Sequence, residues 1–125
     1  MLENALVELL RQEYIAQHHK GVYSGSIPEG TELPAISYLV VNDKPINTID
    51  LTGPRQADVQ ISSVAEQDDQ AYTLAKSIRN ALPSIKGVHA GINLKSIIEN
   101  QEIPSADEGS STFRRIQDYT INYSE

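Results

Sequence analysis

Strict alternation of apolar and polar residues constrains this chain more than any other feature. Across residues 56–63, Ala57, Val59 and Ile61 fall on one side and Asp58, Gln60 and Ser62 on the other. A repeat of two belongs to an extended chain, whose successive side chains point to opposite faces. The segment therefore predicts a half-buried strand with one wet face. Residues 112–123 repeat the pattern through Phe113, Tyr119, Ile121 and Tyr123, although Ile116 falls out of phase. A β-bulge near Gln117 and Asp118 would restore the phase. Without one, Ile116 points toward a subunit interface.

Helical spacing appears twice. Leu2, Ala5, Leu6, Leu9 and Leu10 recur at steps of three and four, which predicts one amphipathic helix from residue 2 to about 17, with Gly21 as a stop signal. Residues 67–82 repeat the device with Ala71, Leu74, Ala75, Ile78 and Leu82, and Pro83 ends it. Asp68 and Asp69 fit an N-cap and complement the positive helix end. Between the helices, two X-Pro steps hold residues 21–34 extended and deliver the chain into a strand at 35–41. A further extended segment spans about 88–98, with Ile92, Leu94 and Ile98 on one face.

Two stretches lack a period and read as flexible loops, about 42–55 and 101–111. The first contains three apolar residues, Ile46, Ile49 and Leu51. These either add a short strand, cap the core, or stay exposed for a partner. The element order is then α-β-loop-β-α-β-β. It predicts an α+β fold, a mixed or antiparallel sheet of about four strands with both helices packed on one face. At 125 residues the chain is expected to be a single domain over 1–125.

Composition narrows the function classes. The absence of cysteine rules out disulfides, thiolate metal sites and cysteine nucleophiles. A net charge of -7 opposes binding to a phosphate backbone or an anionic membrane surface. His18 and His19 are adjacent, point about 100° apart on a helix, and cannot share one metal. His89 has no neighbour at ligand spacing. The carboxylate pairs Asp68/Asp69 and Glu99/Glu102 sit beside helix-start and loop signals, where capping and solubility explain them. Neither a serine-nucleophile elbow nor a phosphate loop is present. Arg114 and Arg115 face opposite ways on a strand, which suits a salt bridge to another subunit or a solvated edge better than a nucleic-acid patch. No enzymatic activity, metal or cofactor is expected.

Several segments in order carry a resemblance: ALVELL in the first helix, GVYSGSIPEGTELPAISYLVV leading into the first strand, DLTGPRQADVQISSVAEQ, the helix AYTLAKSIRNAL, and the terminal FRRIQDYTINYSE. Together they resemble the tail-completion (tail-terminator) proteins of long-tailed bacteriophages and prophages over nearly the whole chain. The segment ENQEIPSADEGSSTF departs from that pattern by being more polar and acidic. The resemblance implies a structural virion protein that docks on the finished tail tube, ends its growth and joins it to the head connector. It also implies a six-fold ring, with this chain itself, the tail tube protein and the head-tail connector protein as partners. Localisation follows as host cytoplasm during assembly and then the virion. A different head-tail connector or neck component is the alternative, and a small ligand-binding domain stands behind it. The residues expected at an interface are Ile46, Ile49, Leu51, Arg114, Arg115 and Ile116.

Overall fold

The computed structural model describes residues 1–46, 53–106 and 111–125. At the N-terminus the expected stripe is buried: α1 (Leu2–Leu10) places Leu2, Ala5, Leu6, Leu9 and Leu10 in the core. The single helix expected to about residue 17 is instead two. Gln12 is extended, at φ -62 and ψ 149, and α2 (Glu13–Ala16) starts afresh. The cause lies in Ile15. At about 100° per residue, an unbroken helix would turn Ile15 roughly 150° away from the Leu stripe. The break lets it bury completely.

Among the described residues the sheet has six strands, in the order β1 (Val22–Ser24), β2 (Ala35–Pro45), β3 (Arg55–Ala65), β6 (Phe113–Ser124), β5 (Ile92–Ala106) and β4 (Gly87–His89). It is curled and mixed: β1 runs parallel to β2, and every other neighbour is antiparallel. This corrects the expected sheet of about four strands carrying two helices. The two missing strands, β1 and β4, have three residues each, too short to show a period. The remaining difference is strand length. Residues 42–45 continue β2 and residues 101–106 continue β5, in stretches exposed enough that no apolar alternation is required.

Cross-strand register assigns the two faces. Facing residues share a side, so Val59 with Tyr119, Ala57 with Ile121, and Ile61 with Gln117 turn the same way. That side carries Tyr38, Ala57, Val59, Ile61, Leu94, Ile97, Tyr119, Ile121 and Tyr123 into one core with the helices. From above it, α3 (Asp68–Ala81) contributes Leu74 and Ile78. A short 3₁₀ turn, Leu82–Ser84, adds Leu82. Gln67 is the N-cap of α3, and Asp68 and Asp69 fill its first turn rather than capping it. Their charge still complements the positive helix end.

Bulges decide the details. Phase shifts fall at Val41 in β2 and at Lys95 and Asn100 in β5, whereas β6 runs without one. Lys95 delays the alternation by one residue, so Ile97 joins Ile92 and Leu94 in the core and Ile98 is 51% exposed. The expected sharing of a face by Ile98 is thereby corrected. Ile116 needs no bulge near Gln117. It lies on the face away from the helices, opposite Ser62 and Ile103.

Candidate functional site

The sheet face turned away from the helices is a ladder of polar cross-strand pairs. Asp58 accepts from the Asn42 amide (2.8 Å) and the Thr120 hydroxyl (3.1 Å), and Asn100 donates to Thr120 (2.8 Å). One row along, Asp118 accepts from Gln60 (3.4 Å) and from Gln101. On the other side of the Asp58 row, Gln56 donates to Asn122 (3.2 Å) and Asn122 donates to Ser96 (2.8 Å). These amides and carboxylates satisfy one another across four strands. They stiffen the face and surround an open hollow of about 420 Å³ whose lining includes Asp58, Gln60, Gln101 and Asp118. Aliphatic side chains flank it on both margins: Leu39 and Val41 on β2, Ile98 and Ile103 on β5, each between 46% and 59% exposed.

Sequence reading missed those four residues. Leu39, Val40 and Val41 read only as part of a strand, yet three consecutive apolar residues cannot all face one side of an extended chain. That run was the available signal. Ile98 was hidden by the bulge.

The two long hairpins open at opposite ends of the sheet. Arg55 pairs with Tyr123 at one end, and Ala65 pairs with Phe113 at the other. The β2–β3 connection therefore leaves one end and the β5–β6 connection leaves the opposite one. At the first end Ile46 is 53% exposed, and its N–H donates to the Pro54 carbonyl (2.9 Å). Beside it, Arg55 donates to Asp43 (3.0 Å), which also accepts from the Tyr123 hydroxyl. Burial, followed by the bond to Asp43, pushes the Tyr123 phenol up to about 12. Ile49 and Leu51 lie outside the described residues.

The two arginines separate as the strand geometry requires. Arg114 faces the polar ladder side, paired with Val64 and Ser105. Arg115 turns to the helix side, where it meets Asp68 (3.2 Å) and Glu102 (3.7 Å) and lies over the Tyr72 ring. Its ion pairs are thus made within the chain. Arg79 joins the same group through Glu102 (3.4 Å) and Tyr72. Beneath them, the fully buried Gln117 amide points at the Ala75 carbonyl (3.0 Å), Glu99 (3.0 Å) and Glu102 (3.1 Å). Burial, then the charges of Glu99 and Glu102, hold the Tyr119 phenol protonated well above its ordinary range. This group fastens α3 to β5 and β6. Every polar contact in it runs between the protein's own elements.

His19 lies 2.8 Å from the Leu10 carbonyl and closes a helix-end acceptor of α1. With His18, Lys20 and Asp69 it borders a cleft of about 310 Å³. Among the described residues, no three His, Cys, Asp or Glu side chains group as a metal site. None of their helices is long and apolar enough to cross a membrane.

The chain aligns with a chain from the virion of a native gene transfer agent particle, at 19% identity and a TM-score of 0.74, covering 99% of this chain and 95% of that one. The two share a fold. A second solved structure aligns at 13% identity over 98% of this chain and 89% of its own, but its TM-score of 0.46 carries no argument. No curated protein matches. A family model described as tail completion protein gp17 matches residues 4–123. The chain belongs to the tail completion protein gp17 family and is a structural protein of the tail or neck of a phage-type virion.

Proposed function

We propose that this chain docks on the end of the tail tube, stops its growth and joins it to the head connector. It does so as a non-enzymatic subunit of a six-fold ring, assembled in the host cytoplasm and retained in the virion. The observation that carries this reading is the pair of hairpin connections at opposite ends of one stiff sheet. Ten residue steps along β3 separate the ends by roughly 34 Å, at ~3.4 Å per residue. A plug between two structures needs two recognition ends held at a fixed distance, and the opposed connections of this sheet support that reading. A ring closed by rotation also needs two different patches on each subunit. The polar face has aliphatic residues on both margins, Leu39 and Val41 on one, Ile98 and Ile103 on the other.

In this reading the β2–β3 connection, with Ile46, Ile49 and Leu51, forms one docking end. Arg114 and Ile116 contribute to contacts from the polar face. Arg115 keeps a supporting role, holding α3 in place. Replacing Ile46, Ile49 and Leu51 together by Ser tests the docking end. The expected result is an unchanged circular-dichroism spectrum with loss of co-sedimentation with purified tail tubes. An unfolded variant would mean that these residues are core, and this part of the reading would fail.

A further inference from the structure

The sheet ends in margins that are only partly covered. Strand β1 pairs with residues 36–38 of β2, and β4 pairs with residues 92–94 of β5. Beyond those short strands, the outer edges of β2 (residues 39–45) and β5 (residues 95–106) have no strand partner among the described residues. A bare edge presents a row of backbone donors and acceptors, a template on which another copy can add its own strand.

Among the described residues, all three bulges of the sheet fall on these two bare stretches: Val41 on β2, and Lys95 and Asn100 on β5. So do both strand prolines, Pro45 and Pro104, which remove a backbone donor. Lys44 and Lys95 place exposed cations on the same stretches. The inner strands β3 and β6 pair with each other without a single phase shift. A bulge twists an edge and breaks its hydrogen-bond spacing, and charge and proline oppose pairing further. Irregularity confined to the two free margins is the pattern of a lock.

We infer that the bulges at Val41, Lys95 and Asn100, with Pro45 and Pro104, block strand addition at both margins of the sheet. Copies of this chain then cannot extend one another's sheets in solution. Any ring closes through side chains on faces and hairpin ends, not through a continuous intersubunit ladder. This inference stands whether or not the chain ends tail growth.

A ladder keeps facing residues on one side, so deleting the unpaired residue of a bulge leaves every other cross-strand pair in place. Deleting Lys95 and Asn100 and adding Pro104→Thr should turn the β5 margin into a regular edge. Folding is checked by near-ultraviolet circular dichroism, and mass by light scattering across a hundredfold range of concentration. The expected result is a folded variant whose mass rises with concentration well beyond that of the wild type. A folded variant with the wild-type mass at every concentration overturns the inference. Should the variant not fold, hydrogen exchange on the wild type decides. Outward-facing amides of residues 95–106 exchanging at unprotected rates at the highest concentration support the lock. Protection of those amides overturns it.

Discussion

At the scale of single residues, one non-glycine residue among those described, Ala90, holds a positive φ. Between β4 and β5 the chain turns through Ala90 and Gly91, at φ 50 and φ 80, while His89 pairs with Ile92. Two positive φ values suit a two-residue hairpin whose twist matches the strands, and they favour Asn followed by Gly. An L-residue with a Cβ in that region costs about 1–2 kcal/mol. Ala90→Asn should therefore raise stability by roughly 0.5–1 kcal/mol, read as a higher urea midpoint at unchanged slope. Tyr123 gives a second test. Its pKa is raised in the folded protein, from 10 to about 12, by burial and by its bond to Asp43. The contribution is complete below pH 10, where both states hold the proton. It is lost as pH rises toward 12, because the unfolded chain ionises first. Melting temperature should fall over that window, and the fall should shrink in Tyr123→Phe. An equal fall in that variant would assign the effect elsewhere, with Tyr119 the next phenol to remove.

At the scale of elements, bulge placement is the claim most open to mutation. Ile97 is buried and Ile98 is half exposed, although both are isoleucines in one strand. Truncating Ile97 to Ala should cost about 2–5 kcal/mol. Ile98→Ser should stay within about 0.5 kcal/mol of the wild type. Reversed costs would move the bulge away from Lys95. The α3 fastening invites a similar test: Gln117→Leu removes a buried donor facing two carboxylates and should cost about 1–3 kcal/mol. These elements also mark what could be read without a structure. The α1 and α3 stripes and the β3 and β6 alternation were legible, because one buried face imposes a period. Lys95 was not legible, since a bulge is chosen by fit to the neighbouring strand and leaves no local signature. The ends of β2 and β5 were equally hidden, because exposed hairpin arms can be polar throughout and still pair. Strand parity gave the opposed facing of Arg114 and Arg115, but not the partners of Arg115 within the chain, Asp68 and Glu102. No pattern along the chain brings Asp68 beside Arg115, which stand 47 positions apart.

At the scale of the whole molecule, a stiff polar sheet carries a connection at each end and aliphatic residues on both margins of one face. The role proposed for it is that of a part that fills a defined gap between two larger assemblies. Family membership fixes the kind of particle, and the opposed hairpins give the reason to read the chain as a two-ended joint. The most direct test is electron microscopy of particles made from the encoding genome with a stop codon placed in this gene. Loss of the joint predicts filled heads lying beside unattached tails, some of them overlong, with joining restored when the protein is supplied. Normally joined particles of ordinary tail length would contradict the account.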